Sequence, residues 1–273
     1  MKQIISVSLL WLLAFVPDAE AVETEFMQGL GDVRYHHVNS EIVGRGYHIY
    51  VRLPFDYDES ARDYPTVYLL DGGNTFPMLA PYYRYLNLGD EVPDMIIVGI
   101  SYGSDTSEGG NFRSTDFTAP SEERDYWGGA PKFQSFLRDE LFPIIETGYR
   151  SDGNKRIVFG QSLGGQFVLF TAQTEPDLFY GHIASNPALH RNLDFFLKDH
   201  ADVVGSPSSK LFVASGTDDV PRFREPALEW IRYWSSRQQL HWRLRTINLP
   251  DHSHMSAPPA AFRQGLIWIF RSD

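Results

Sequence analysis

A serine flanked by glycines, followed later by paired aspartates and paired histidines, could carry out nucleophilic chemistry in this chain of 273 residues. The serine is Ser162, in Gly160-Gln161-Ser162-Leu163-Gly164, which fits the Gly-x-Ser-x-Gly pattern. In that pattern the serine lies on a sharp turn between a strand and a helix, where side chains at the glycine positions would clash. So short a pattern arises by chance in about one chain of this size in ten, so its neighbours decide its value.

The segments on either side of Ser162 are those that the pattern requires. Residues 156–159 are typical of a buried strand, and residues 165–172 are typical of a helix. We therefore predict that Ser162 is the nucleophile of a serine hydrolase and that the backbone amide of Leu163 helps to form its oxyanion hole. A glycine-rich turn with a solvent-facing serine is the alternative interpretation.

A nucleophilic serine needs a base, and the base needs an orienting acid. In α/β-hydrolases the acid follows a late strand. Here a strand-like segment at 211–214 precedes Asp218 and Asp219. We favour Asp219, because the strand must end and turn before a carboxylate can face the histidine. Asp218 is a close alternative and Glu225 a weaker one, and either aspartate could instead be a turn residue.

The histidine is expected in a loop directly before the last helix. The segment Asp251-His252-Ser253-His254 offers two candidates, His252 and His254. Their spacing beside an aspartate could suggest a metal site, but no third and fourth ligand is evident nearby in the sequence.

The second oxyanion donor is expected in the loop after an early strand. Residues 66–70 have the character of that strand, and Asp71-Gly72-Gly73-Asn74 follows it. We predict Gly73 as the donor, the alternative being that the two glycines form only a flexible turn.

The elements that must position these residues are short apolar segments that alternate with helical patterns. Continuous apolarity predicts strands buried on both faces at 66–70, 95–100, 156–159, 182–184 and 211–214. Alternating apolarity predicts a half-buried strand from Tyr47 to Leu53, and helical spacing predicts helices near 133–141, 165–172, 226–237 and 260–270. The expected fold is an α/β-hydrolase fold, a mostly parallel central sheet with helices on both faces, in one domain over residues 22–273.

The composition narrows the set of partners. The formal net charge of −11 disfavours nucleic acids and anionic membrane surfaces, and it makes a strongly anionic substrate less favourable unless a local patch overrides it. The absence of cysteine excludes a cysteine nucleophile, a cysteine-ligated metal and disulfides. We expect no cofactor and no metal, because acyl transfer through a serine requires neither.

The N-terminus has the pattern of a secretory signal peptide. Lys2 precedes an apolar run at 4–16, and Ala19-Glu20-Ala21 has the small-residue signature of a cleavage site. We predict a signal peptide over residues 1–21 and a secreted or periplasmic protein without stable membrane insertion after cleavage. An uncleaved N-terminal anchor is the alternative.

Four stretches together resemble the esterase family of α/β-hydrolases that includes esterase D, feruloyl esterases, enterochelin and salmochelin esterases and the antigen 85 mycolyltransferases. They are YPTVYLLDG at 64–72, GQSLGG at 160–165, GTDD at 216–219 and HMSAPP at 254–259. The resemblance implies an esterase, nearest in pattern to the periplasmic siderophore-esterase branch, with Gly73 as oxyanion donor and Asp219 preferred to Asp218. For the histidine it is divided: residues 251–253 resemble esterase D, whereas the longer stretch from His254 resembles the salmochelin esterases and favours His254.

The predicted function is thus hydrolysis of carboxylic esters through an acyl-enzyme, with Ser162, His254 and Asp219 as the triad. An acyltransferase with the same triad and an inactive binding protein on this scaffold are the alternatives. The substrate is expected to be a small-molecule, aryl or glycan ester. Residues 102–129 lack periodicity and are expected to cross the rim of the site, where we predict an aromatic lining by Tyr82, Tyr83, Tyr85, Phe112, Phe117, Tyr126 and Trp127.

Overall fold

A single eight-stranded sheet organises the residues that the structure, a computed structural model, describes, namely 29–198 and 209–271. The predicted signal peptide at 1–21 lies outside the described residues. The strands are β1 (Val33–Ser40), β2 (Arg45–Arg52), β3 (Tyr64–Leu69), β4 (Ile96–Ser101), β5 (Ser151–Gln161), β6 (Gly181–Ser185), β7 (Lys210–Gly216) and β8 (Arg243–Leu249).

The strand order across the sheet is β1-β2-β4-β3-β5-β6-β7-β8. The pairs β1–β2 and β2–β4 are antiparallel, and every pair from β4 to β8 is parallel. The prediction of a mostly parallel sheet is therefore confirmed. The parallel arrangement brings the carboxyl ends of β3, β5, β6 and β7 to one edge, where ligands of open α/β sheets bind.

Helices cover both faces of this sheet. They are α1 (Gly72–Leu88), α2 (Arg113–Asp116), α3 (Ala130–Phe136), α4 (Phe142–Gly148), α5 (Leu163–Thr174), α6 (Leu193–Phe196), α7 (Pro221–Ser235) and α8 (Pro258–Arg271), with a π-helical turn (Leu137–Leu141) between α3 and α4. The apolar residues of α1 and α8 belong to one core cluster, whereas those of α3 to α7 belong to the other. The predicted covering of both faces is confirmed.

Strand β3 shows how one apolar segment supplies both cores. Val67 and Leu69 point into the cluster beneath α1 and α8, and Tyr68 points into the opposite cluster. Because successive side chains of a strand alternate between faces, a strand that is buried on both must be apolar at every position. This accounts for the continuous apolar runs that predicted the parallel strands.

Helix α1 was not predicted from the sequence, because its segment contains two glycines at its start and the prolines Pro77 and Pro81 in its interior. Tertiary packing overrides these unfavourable propensities. Phe76 and Leu79 are buried on this helix, 5% and 0% exposed, against the sheet. The outer strands β1 and β8 were also missed, because each is polar on its solvent face and lacks a continuous apolar run.

The region 102–129 is held against the sheet by a buried carboxylate, Asp116. It accepts hydrogen bonds from Arg45 Nη1 at 2.7 Å, Tyr47 Oη at 2.7 Å and Tyr102 Oη at 3.0 Å. Burial raises the pKa of Asp116 above its usual value, while these three donors favour its ionised form. The predicted excursion therefore includes a short helix, α2, anchored to the antiparallel end of the sheet.

The predicted aromatic rim was partly wrong. Tyr83 and Phe117 are 1% and 0% exposed and belong to the two cores. Tyr85 is exposed, but it lies on α1 about 20 Å along the helix from Gly72. Aromatic residues at helical spacing more often fill a core than line a site, which is the physical reason for the error.

Within residues 29–198 and 209–271, no helix has the length and apolarity that a membrane crossing requires.

Candidate active site

Ser162 occupies a strained turn between the end of β5 and the start of α5. Its backbone angles are φ 60° and ψ −115°, a conformation that non-glycine residues rarely adopt. Its amide donates to the carbonyl of Ser185 at 3.0 Å, and its carbonyl accepts from the amides of Gln166 at 2.9 Å and Ala188 at 3.0 Å. These backbone bonds hold the residue in its strained conformation at the carboxyl edge of the sheet.

Close backbone contacts require glycine at position 160 of the motif and at position 165 directly after it. A Cβ atom on Gly160 would lie 2.2 Å from the carbonyl carbon and oxygen of Gly164, and one on Gly165 would lie 3.0 Å from the carbonyl oxygen of Ser185. The strand can therefore turn into the helix only where these positions carry no side chain. This packing places the N-terminus of α5, with its unpaired amides, beside Ser162.

His254 and Asp219 are joined by a hydrogen bond of 2.7 Å between Nδ1 and Oδ2. The Asp219 side chain is 1% exposed and the His254 side chain 15% exposed. Asp219 comes from the loop after β7, and His254 comes from the loop before α8. A buried carboxylate on Nδ1 orients the imidazole and directs Nε2 away from it, toward a nucleophile.

The structure does not bring the alternative residues into this arrangement. Asp218 is exposed and accepts a hydrogen bond from the hydroxyl of its neighbour Thr217 at 3.2 Å. His252 has Nδ1 against the carbonyl of Pro250 at 2.6 Å. Glu225 is exposed on α7. Among these candidates, all within the described residues, the Asp219–His254 pair alone combines a buried acid with an imidazole that this acid orients.

The loops that carry the three residues are tied together by side-chain amides. Gln161 donates from Nε2 to the carbonyl of His254 at 2.7 Å. Asn186, after β6, accepts from the amide of Gly216 at 2.7 Å and donates to the carbonyl of His254 at 3.3 Å. A Cβ on Gly216 would lie 2.2 Å from the carbonyl oxygen of His252, so the acid loop and the histidine loop are in direct contact.

The predicted oxyanion residues lie at two helix starts that adjoin each other. Leu163 is the first residue of α5, and Gly73 is the second residue of α1. A Cβ on Gly164 would be 3.5 Å from Oδ2 of Asp71, so the loop before α1 packs against the first turn of α5. Two helix N-termini that converge on one edge provide backbone donors for a developing negative charge.

A salt bridge that was not predicted from the sequence fixes the loop before Gly73. Asp71, which adopts a left-handed conformation at φ 54°, accepts from Arg113 Nε at 2.7 Å and from Arg113 Nη2 at 2.8 Å. The guanidinium therefore binds the carboxylate at two points, which gives defined geometry as well as charge pairing. Arg113 begins α2, so the region 102–129 supports the predicted oxyanion loop.

Aromatic and basic residues that the sequence did not single out surround the imidazole of His254. The centroid of the Phe223 ring lies 4.5 Å from that of His254, and the centroid of the His190 ring lies 4.9 Å from that of Phe223. Burial and the nearby guanidinium groups of Arg222 and Arg191 lower the pKa of His190 to about 4. His190 is therefore neutral at pH 7, and no spacing pattern in the sequence indicates its position.

The sequence profile of the family described as "Putative esterase" matches residues 40–256. The match includes Ser162, Asp219 and His254 and covers most of the chain. The chain belongs to this esterase family.

Two named relatives illustrate the similarity. The chain is 36% identical over 180 residues to ferri-bacillibactin esterase BesA of Bacillus subtilis (strain 168), which covers 60% of this chain and 61% of that protein. It is 27% identical over 163 residues to apo-salmochelin esterase of Escherichia coli O6:H1, covering 56% of this chain and 50% of that protein. The chain thus spans between half and about three fifths of the length of these relatives.

Solved structures give the same fold. An IroE-like serine hydrolase from Shewanella oneidensis superposes with a TM-score of 0.75 at 22% identity, covering 88% of this chain and 80% of that chain. The BES protein from Bacillus cereus gives 0.74 at 23% identity, covering 88% and 96%. At this level of identity the likeness establishes the α/β-hydrolase fold of the esterase domain.

The esterase domain has a cleft beside the predicted oxyanion loop. It measures about 270 Å³ and is lined by Gly73, Asp71, Ser101, Tyr102 and neighbouring residues. A larger cavity of about 1340 Å³ also reaches Gly73 but runs along β1, β2 and α1, and none of Ser162, Asp219 and His254 lines it. The smaller cleft is not lined by these three residues either, but it includes Asp71, which packs against the first turn of α5.

Residues 29–198 and 209–271 contain no group of three or more His, Asp or Glu side chains able to hold a metal ion. His252 and His254, whose spacing resembles that of metal ligands, have separate partners.

Proposed function

We propose that this chain hydrolyses carboxylic esters, with Ser162 as nucleophile, His254 as general base and Asp219 as the orienting acid. The observation that carries the proposal is the 2.7 Å bond from His254 to the buried Asp219, formed at the same sheet edge as the strained Ser162 turn. Membership of the esterase family supports ester hydrolysis as the reaction.

In the first step, Ser162 Oγ attacks the ester carbonyl carbon while His254 Nε2 takes the hydroxyl proton. The amides of Leu163 and Gly73 stabilise the oxyanion of the tetrahedral intermediate. His254 then gives the proton to the departing alcohol oxygen, and the acyl group stays on Ser162. Water, activated by the same imidazole, releases the acid and restores the serine.

The proposed substrates are esters of the siderophore type. Two relatives are named as ferri-bacillibactin and apo-salmochelin esterases, and two Aspergillus nidulans proteins of similar fold are named as siderophore hydrolases. We also propose export to the periplasm or beyond, on the signal-peptide pattern of residues 1–21.

The test is hydrolysis of 4-nitrophenyl acetate, a feruloyl ester, an acetylated sugar and a siderophore trilactone by the wild type and by Ser162→Ala. We expect Ser162→Ala to lose at least about 10³-fold in kcat/KM on every ester that the wild type cleaves. Undiminished turnover by folded Ser162→Ala would reject the proposal. Adding an alcohol and analysing the products separates hydrolysis from acyl transfer, which the same triad could perform.

A further inference from the structure

Two arginines beside the proposed active site have no acidic partner among residues 29–198 and 209–271. Arg191 is half-buried, and its Nη1 is buried without any hydrogen-bond partner. Arg222 is exposed in the first turn of α7, which carries no acidic residue there. In a chain with 35 acidic and 24 basic residues, two unpaired cations at one place indicate a local reversal of the overall charge.

Arg191 directly follows His190 and Arg222 directly precedes Phe223, and the rings of His190 and Phe223 are 4.9 Å apart, so both arginines lie beside one small region. Both are close enough to His190 to disfavour its protonation, as His254 also is. The ring sequence His190, Phe223, His254, with centroid separations of 4.9 Å and 4.5 Å, joins that region to the proposed base. The region therefore adjoins the imidazole that would move the proton.

An aromatic platform completes this region. The guanidinium of Arg191 lies over the ring of Trp127 at 5.0 Å, and the guanidinium of Arg222 lies 5.8 Å from the Phe223 ring. Trp127 Nε1 is buried and has no hydrogen-bond partner among the described residues. Stacked guanidinium groups retain their in-plane N–H donors, which suit a carboxylate or phenolate that is coplanar with an aryl ring.

The catalytic cycle indicates which part of an ester this region would meet. His254 must donate its proton to the departing alcohol oxygen, so the alcohol portion lies on the imidazole side of the scissile bond. The predicted oxyanion loop, with its cleft at Gly73, instead joins β3 to α1. A group beyond Phe223 is therefore part of the leaving alcohol and not of the acyl chain.

We propose that Arg191, Arg222 and Trp127 form a subsite for a negatively charged aryl group on the leaving-alcohol side of the ester. This specificity assignment rests on the proposed function and adds a charge preference to it. The ligand class is an aryl carboxylate or phenolate, bound by guanidinium donors and stacked beside the indole ring. Positive potential from the N-terminus of α7 adds to the attraction.

The experiment compares 4-acetoxybenzoate with 4-acetoxybenzamide, which have the same shape and the same acetyl group but differ in one charge. We expect the wild type to prefer the anion by about 10-fold in kcat/KM, because charge-assisted hydrogen bonds favour it. Arg191→Gln and Arg222→Gln should each remove most of that preference. Each should change kcat/KM for ester hydrolysis of the neutral 4-acetoxybenzamide by less than about twofold. Raising the salt concentration should weaken the preference of the wild type.

Arg232→Gln is the matched control, because Arg232 is exposed on the same helix about 15 Å from Arg222 along the helix axis. It should keep the wild-type preference. Equal turnover of both esters by the wild type, or an unchanged preference in the Arg191 and Arg222 variants, would reject the subsite. Hydrolysis of the acetyl ester of 4-acetoxybenzamide would still support the proposed esterase activity in that case.

An equilibrium measurement covers the case in which neither ester is cleaved, which would count against the proposed function. Calorimetric binding of 4-hydroxybenzoate and 4-hydroxybenzamide to Ser162→Ala protein tests the subsite without turnover. The subsite is supported if Ser162→Ala protein binds 4-hydroxybenzoate and if adding Arg191→Gln to this protein removes that binding. Equal binding of both compounds, or binding of neither, overturns it.

Discussion

The side-chain amide of Gln161 donates a 2.7 Å hydrogen bond to the backbone carbonyl of His254. Gln161 directly precedes Ser162, so the residue next to the proposed nucleophile holds the loop that carries the proposed base. The bond links two segments that are 93 residues apart in the chain. The distance between nucleophile and base therefore depends on a side chain that need not touch the substrate.

Replacing this side chain should weaken catalysis without weakening substrate binding. We expect Gln161→Leu to lower kcat by about fivefold, equivalent to about 1 kcal/mol, because the histidine loop loses a partly buried hydrogen bond. KM should change little, since the substrate contacts are intact. Steady-state kinetics on 4-nitrophenyl acetate measures both constants. Gln238→Leu, at an exposed position, is the control, and an equal loss in that variant would contradict the positioning role.

The two neighbouring aspartates should differ sharply in their effect on activity. Asp219→Asn should reduce kcat by about 10³-fold or more, because an amide at this position favours the wrong imidazole tautomer. Asp218→Asn should stay within about twofold of the wild type, since Asp218 is exposed. Circular dichroism on both variants confirms folding. Similar losses from the two substitutions would show that the buried carboxylate is not the orienting acid.

The two histidines provide a parallel test. His254→Gln should reduce the rate of hydrolysis of activated esters to about 10⁻³ of the wild-type rate or less, because the base is removed. His252→Gln should retain most activity, since the ring contacts the carbonyl of Pro250 and not the carboxylate. The measurement is kcat/KM on 4-nitrophenyl acetate. An inactive His252→Gln protein with unaltered structure would reverse the assignment.

The glycines of the chain should respond to alanine according to their surroundings. Gly160→Ala should destabilise the fold by about 3 kcal/mol, because its Cβ would lie 2.2 Å from the backbone of Gly164. Gly148→Ala is the control, since its Cβ meets no atom within 4 Å and its φ is not positive. That substitution should stabilise the protein by up to about 1 kcal/mol. Thermal unfolding distinguishes the two, and a Gly160→Ala protein as stable as the wild type would contradict the close approach.

Acid should destabilise the protein in part through His182, which is fully buried on β6. Burial lowers the pKa of His182 to about 3, whereas its unfolded value is 6.5. Between these values the unfolded chain binds the extra proton, so stability falls as the pH drops from 6.5 toward 3. We expect His182→Leu to reduce the slope of the unfolding free energy by about 1.4 kcal/mol per pH unit below pH 6. Urea unfolding between pH 7 and pH 5 measures this slope, and an unchanged slope would show that His182 does not titrate on unfolding.

The strand–turn–helix arrangement around Ser162 and the class of the fold could be predicted from the sequence because they depend on local patterns. Glycine spacing around Ser162 and continuous apolar strands are consequences of short-range sterics and of burial on two faces. Helix α1 could not be predicted, since Pro77 and Pro81 oppose a helix locally and only packing against the sheet restores it. The outer strands β1 and β8 could not be predicted either, because a strand with one solvated face lacks a continuous run of apolar residues.

By itself, the sequence determined that a serine turn, a late acidic pair and a later histidine pair follow one another in the order of an α/β-hydrolase. Only the tertiary structure shows that Asp219 is buried and bonded to His254, whereas Asp218 and His252 have other partners. Adjacent residues in a turn point in different directions, and which one is buried depends on loops from β5, β6 and β7 that meet at the sheet edge. The cluster of Arg191, Arg222 and Trp127 is likewise a product of the fold, because its members come from three separate segments that only folding brings together.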